Sequence, residues 1–227
     1  MALLSLCMVL ASLLTSATHS EPEGVKRVIG FDDQKPGEPP LGFSCALTGQ
    51  GRPGVWRVVR DEAAASGPNV LAQSDQDATS YRFPLCVLDA VSGTDVDLSV
   101  RFKAISGAKD QAAGIVWRYH DPNNYYIVRA NALEGNVVPY KVEGGKRTDL
   151  DPKGSGLFAY GKKVAVPSGA WNTLGVVARG TLFVVSLNGQ RLFQVEDSTF
   201  RSPGKVGVWT KADSVTYFDD LAITVVR

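Results

Sequence analysis

Apolar and polar residues alternate with a period of two along most of the chain. Asp97-Leu98-Ser99-Val100-Arg101-Phe102 alternates strictly, which sets Leu98, Val100 and Phe102 on one face of a strand. Residues 114–119 and 125–130 flank Asp121-Pro122-Asn123-Asn124, a strong turn signal, and predict a hairpin. Residues 181–187 and 190–195 flank Asn188-Gly189 and predict a second, because a type I′ turn needs positive φ at both central positions. In this second hairpin Phe183, Val185, Leu187 and Leu192 share one face, and Leu182, Val184, Phe193 and Val195 the other. Both faces are apolar, so a central position covered on both sides is expected. Further strands are expected at 28–31, 55–59, 136–142, 157–164, 171–179, 205–210 and 215–226. The one helix-friendly stretch, 61–66, is too short to form a stable helix. Many short strands with turn signals, and no internal repeat, predict an all-β fold built as a two-sheet antiparallel sandwich.

The N-terminus breaks this pattern. Residues 1–14 form an apolar run, followed by small and polar residues from Thr15 to Ser20. This reads as a signal peptide over residues 1–20, cleaved after Ala17 or Ser20. The run is too short to span a bilayer comfortably, and no second long run follows, so no membrane span is expected in the mature chain. Residues 21–42 then form a Pro- and Gly-rich N-terminal segment with the first strand, and 43–227 a single sandwich domain that the strand at 28–31 closes. The expected location is secreted or periplasmic. A formal net charge of +1 provides no global field for nucleic acid or an anionic membrane. Without the signal, Cys45 and Cys86 remain, and an exported chain with two cysteines most simply pairs them as a disulfide. Two buried free thiols are the alternative.

Candidate chemistry comes from strand parity. A turn centred on Pro122-Asn123 puts Arg118 and His120 on one face with Tyr125 and Arg129, and Trp117 and Tyr119 on the other with Tyr126 and Val128. Sugar sites combine an aromatic plane for C–H faces with a few Arg, Asn or Asp groups for hydroxyls. Trp209, in parity with Lys205 and Lys211, adds a second ring. The candidate ligand-binding residues are therefore Arg118, His120, Tyr125, Arg129 and Trp209, and the expected partner is a glycan or oligosaccharide. A plain solvated sheet face is the competing reading. In the last strand, parity puts Asp219 with Tyr217, Leu221, Ile223 and Val225, and a carboxylate on an apolar face needs a partner. Backbone N–H groups, an Arg, a β-bulge turning it outward, or a hard cation such as Ca²⁺ would each serve. First and last strands often neighbour each other in sandwiches, so Asp32 and Asp219 are the candidate residues for a structural Ca²⁺. No other cofactor is required.

No catalytic motif stands in the chain. The E-x-D-x-x-E strand of paired carboxylates, the G-x-S-x-G elbow, His/Cys metal spacing and a phosphate loop are all missing from the sequence. A site assembled across strands would draw on Asp110, Asp121, His120 or Glu134.

The stretch Gln111-Ala-Ala-Gly-Ile-Val-Trp-Arg-Tyr-His-Asp-Pro-Asn-Asn-Tyr-Tyr-Ile-Val-Arg129 resembles a hairpin of concanavalin A-like, laminin-G-like domains. With Ser186-Leu-Asn-Gly189, Gly204-Lys-Val-Gly-Val-Trp209 and Phe218-Asp-Asp-Leu221, the order over residues 28–226 resembles exported bacterial domains near the 3-keto-disaccharide hydrolase family. The resemblance implies a concanavalin-like jelly roll. It also implies carbohydrate association, with Arg118 matching an Arg of the family's strand. The chain departs from that family at Ala113-Gly114, where Ser-Gly is common, and at Trp209-Thr-Lys, where a Gln and a His are common. Three functions remain open: glycan binding on a concave sheet, hydrolysis or lysis of modified sugars such as 3-keto-glycosides, and a structural or protein-binding sandwich.

Overall fold

Residues 24–64, 66–153 and 160–226 are described in the computed structural model, and the alternating segments within them become strands. In chain order these are β1 (Lys26–Ile29), β2 (Phe43–Gly49), β3 (Trp56–Arg60), β4 (Asn69–Gln73), β5 (Arg82–Gly93), β6 (Asp95–Ser106), β7 (Ala112–Asp121) and β8 (Asn124–Asn131). They continue as β9 (Asn136–Glu143), β10 (Lys146–Asp149), β11 (Lys162–Lys163), β12 (Trp171–Arg179), β13 (Leu182–Leu187), β14 (Gln190–Glu196), β15 (Gly204–Trp209) and β16 (Val215–Val226). The expected signal peptide lies outside the described residues. So does part of the strand expected at 157–164, whose described portion holds β11.

The strands form two antiparallel sheets. Sheet A runs β14-β13-β12-β6-β16-β4-β3 with β1 on β16, so the first and last strands are neighbours. Sheet B runs β10-β9-β8-β7-β15-β5-β2 with β11 on β9. The core lies between them. Leu98, Val100 and Phe102 all face it, joined by Val176, Phe183 and Phe218 from sheet A and by Trp117, Tyr126, Val128 and Val208 from sheet B. Trp117 stacks on Tyr126 at 5.4 Å and meets the edge of Phe183 at 5.2 Å. Such aromatic pairs contribute about 0.5–1.5 kcal/mol beyond their buried area.

A second apolar cluster covers the outer face of sheet B, where Phe83, Leu85, Val116, Tyr125, Ile127, Tyr140 and Trp209 are buried. The hairpin with two covered faces is therefore β7–β8. The Asn-Gly hairpin, expected to be central, is instead β13–β14 at the edge of sheet A. Its outward Leu182 and Val184 are half-buried. An irregularity at Val185/Ser186 puts Phe193 opposite Val185, so Phe193 and Leu192 both reach the core and the simple parity of the turn is lost. Cys45 and Cys86 face each other across β2 and β5 and are joined in a disulfide.

Candidate functional site

The outer face of sheet B is ordered by its register. Arg129 on β8 sits opposite Gly114 on β7, and Gly114 sits opposite Trp209 on β15. A Cβ on Gly114 would come within 2.5 Å of Ile127 and 3.3 Å of the Trp209 ring, so only glycine lets the two large side chains close over β7. One register row further on, β8 ends at Asn131, which pairs with Asn136 at the start of β9.

Two loops complete this end of the sheet. Asp213, between β15 and β16, accepts hydrogen bonds from the backbone N–H groups of Ala108, Lys109 and Asp110. Burial works to raise its pKa, but those three N–H groups outweigh it and hold the carboxyl below its usual range. Asp213 thus ties the loop before β7 to the loop after β15, and brings Asp110 to Lys211. Arg82, fully buried, donates to the carbonyl of Ala212 and pairs with Asp75 at 2.8 Å, which fixes the second loop from behind.

The result is a connected polar network. Arg129 donates from Nη2 to Glu134 at 2.8 Å, and its Nη1 lies 2.8 Å from the second carboxylate oxygen as an ion pair. Asn131 donates to Asp110 at 2.8 Å and to Glu134 at 3.0 Å, and Asn136 donates to Glu134 at 3.1 Å. Lys211 reaches Asp110 at 2.9 Å and Glu134 at 3.5 Å. Tyr140 and Tyr160 share a hydrogen bond, and both rings lie 5.9 Å from the Arg129 guanidinium. Burial works to raise the Glu134 pKa, yet Arg129, Asn136 and Lys211 outweigh it and hold the carboxyl at about 2. Glu134 is thus a fixed anion at neutral pH. Arg129 Nε and Nη1 have no hydrogen-bond partner among the described residues, two donors left over in a buried side chain. Beyond the network, Arg147 lies between the rings of Phe83 and Tyr140, 4.4 Å from each, and Phe83 stacks on Trp209 at 5.2 Å.

Three of the five sequence-derived ligand-binding residues, Tyr125, Arg129 and Trp209, share this face. Tyr125 is buried, with its hydroxyl 2.8 Å from that of Thr48. Arg118 and His120 do not share it. The pairing of β7 with β8 shifts between Trp117 and Asp121, and Arg118 takes a positive φ of 46°. That bulge turns Arg118 inward, where it donates to the carbonyls of Thr94, Phe200 and Gly180. It also turns Tyr119 to the side of Tyr125, 5.9 Å ring to ring, against the parity expectation. His120 is exposed and lies beside Ser202 and Phe200. Of the residues named for a strand-assembled site, Asp110 and Glu134 come together, while Asp121 caps its own turn through Asn123 and Asn124. Sequence reading missed Asn131, Asn136, Tyr140, Tyr160 and Arg147. Extending the period of β8 from Arg129 to Asn131 would have found the first.

Asp219 is buried, and its partners are the backbone N–H and hydroxyl of Ser66 and the N–H of Asp220. Asp220 has φ 47°, and the pairing with β6 slips there, so the bulge occurs but leaves Asp219 inside. Asp32 accepts from the Asn69 N–H in the same loop region. Among the described residues no group of three or more His, Cys, Asp or Glu could hold a metal ion. Burial pushes the Asp219 pKa up to about 6, helped by the neighbouring Asp220 charge. A raised carboxyl keeps its proton in the fold after the unfolded chain has released its own, so stability falls as pH rises from about 4 to about 6. Asp219→Asn removes the charge and keeps one of the two accepting oxygens, so it loses either the Ser66 donors or the Asp220 N–H at every pH. Measured against native protein by urea unfolding, the variant should fare better at pH 8 than below pH 4 by about 1–3 kcal/mol, the part of the difference that the charge alone controls. An effect that does not change between the two pH values would show that Asp219 is ionised in the fold throughout this range.

No protein-family model matches the chain, and no curated protein matches it. Solved structures do. The carbohydrate-binding module CBM66 from Bacillus subtilis is 20% identical with a TM-score of 0.58, over 81% of this chain and 95% of that one. Cellulose induced protein Cip1 is 15% identical with a TM-score of 0.61, over 89% and 98%. Domain 4 of AbnA, a GH43 extracellular arabinanase from Geobacillus stearothermophilus solved with arabinotriose, is 14% identical with a TM-score of 0.54, over 91% and 94%. The chain has the concanavalin-like jelly-roll fold. The two sheets and the β7–β8 hairpin match what the Gln111–Arg129 motif implied.

Proposed function

We propose that this chain is an exported glycan-binding jelly roll that holds a neutral saccharide on the outer face of sheet B. The observation that carries this reading is the network of Asp110, Arg129, Asn131, Glu134, Asn136 and Lys211, which opens to solvent beside the exposed ring of Tyr160, with the buried Tyr140 and Trp209 beneath as its floor. Its two cations and two carboxylates balance, so it offers charged donors and acceptors for hydroxyl groups without a net field. Glu134 and Lys211 are the partly exposed members, with about a third and a fifth of their side chains open. Support also comes from the fold's company, since structures of the same shape include a carbohydrate-binding module and a domain solved with arabinotriose. Export rests on the N-terminal signal and accords with the disulfide, because such bonds persist in oxidising compartments.

Glu134 is not placed to act as the general acid at a glycosidic bond. A general acid at a glycosidic bond needs a raised pKa, and Glu134 is held at about 2. The test is calorimetry with arabinotriose, xylotriose and cellotriose, together with mass analysis of each sugar after incubation. At least one trisaccharide should bind and be recovered unchanged. Glu134→Gln and Lys211→Met should each weaken it at least about tenfold, or about 1.4 kcal/mol. Cleaved sugar would make the chain an enzyme, and unaltered binding by both variants would move the ligand off this face.

A further inference from the structure

The side of the molecule opposite the Arg129 network is also built of polar groups. The outer face of sheet A holds a cavity of about 280 Å³ lined by Lys26, Arg101, Ser99, Thr173 and Asp220. One register row is small in its middle, where Ala222 on β16 opposes Ser99 on β6 and Ser99 opposes Gly175 on β12, and the exposed Val28 on β1, opposite Ala222, walls it at one end. The next row is tall and cationic, with Arg101 between Thr173 and the 219–220 bulge of β16. Arg101 is nearly half exposed and lies 3.7 Å from Asp220. Asp220 is itself held by the Ser66 hydroxyl at 2.6 Å, which steadies the guanidinium over the cavity. Lys26, exposed on β1, lines the cavity from another strand.

One row further along β6, the same face carries an aromatic pair. Lys103 stands opposite Trp171 and Tyr217 and lies 5.3 and 5.8 Å from their rings. Its ammonium is already engaged by Asp61, and the Trp171 indole donates to the Ala63 carbonyl, so the ring is fixed in place. Two cations against the one carboxylate of Asp220 leave a net positive charge, and with two hydroxyl groups and a fixed indole alongside these are the elements for a charged sugar. The cations meet its acid group, the hydroxyls meet its hydroxyls, and the ring takes a C–H face.

We infer that the outer face of sheet A is a binding site for an acidic saccharide, engaged through a carboxylate or sulfate ester between Lys26 and Arg101. This site is independent of the one proposed on sheet B, and the two map to different strands. The test is amide NMR mapping and calorimetry on the mature chain with three probes: tetragalacturonate, a sulfated carrageenan tetrasaccharide and neutral cellotetraose. At least one acidic probe should shift the amides of Ser99, Thr173 and Ala222 saturably, and cellotetraose should leave them still. A shift with only one acidic probe identifies which anion the site takes. Raising NaCl should weaken the binding several-fold, as for a partly exposed ion contact. Lys26→Glu should weaken it at least about tenfold. Thr173→Glu, which places an acid in the cavity from another strand, should do the same with the fold intact. Shifts confined to residues 129–136 and 209–211, equal response to cellotetraose, indifference of both variants, or no response to either acidic probe would each overturn the inference.

Discussion

Arg118→Met lowers the free energy of unfolding by about 3–5 kcal/mol and leaves trisaccharide affinity unchanged, as urea unfolding and calorimetry on the same preparation would show. The magnitude follows from what the guanidinium touches. Its three nitrogens donate to the carbonyls of Thr94, Phe200 and Gly180 at 2.9, 2.7 and 2.5 Å, which gathers three loops around one buried cation. Asp95 balances the charge at 3.5 Å, and the rings of Phe183 and Tyr126 flank it at 5.3 and 6.0 Å. Methionine keeps most of the packing against those rings but supplies no donor, so buried carbonyls lose their partners at about 1–3 kcal/mol each before relaxation. Arg118→Lys recovers only part of the loss, because one ammonium cannot span three acceptors in a plane. Affinity is unmoved because the side chain lies inside the sandwich. A variant with native stability and lost affinity would return Arg118 to the binding face.

The same residue shows how far strand parity can be read. Alternation grouped Leu98, Val100 and Phe102 on one face, which proves to be the core face, and Tyr125 with Arg129 on another, which proves to be the outer one, because β6 and β8 run without interruption through those positions. It failed at Arg118, at Val185/Ser186 and at Asp219–Asp220, where a bulge or register shift intervenes. Arg118 and Asp220 both take positive φ without being glycine, so no local residue type announces the turn. The site divides along the same line. Arg129 and Trp209 were legible because they sit within strands. The meeting of Asp110, Glu134 and Lys211 was not, because it depends on three turns brought together by sheet order and by the Asp213 clamp. Only Glu134, three residues past Asn131 and two before Asn136, lies close enough in sequence for its partners to be guessed.

Removing the disulfide is the second large effect: Cys45→Ala with Cys86→Ala should lower the free energy of unfolding by about 3–4 kcal/mol. The bond closes a loop of 41 residues, and opening it frees the unfolded chain to explore conformations that the cross-link forbids. Its place in the fold sharpens the expectation. Strand β2 is one edge of sheet B and, among the described residues, pairs with β5 alone through the register Phe43–Gly49 against Arg82–Leu88. Cys86 is buried, while Cys45 is exposed, so a thiol reagent can approach the bond from the Cys45 side without global unfolding. Urea unfolding of the native chain in dithiothreitol should therefore coincide with that of the double variant. Because the loss arises in the unfolded state, the folded double variant should keep its saccharide affinity, as the Arg129 network lies on the far strands of the sheet. A loss below about 1 kcal/mol would show instead that the ladder to β5 holds the edge strand by itself, with the unfolded chain already compact over these 41 residues.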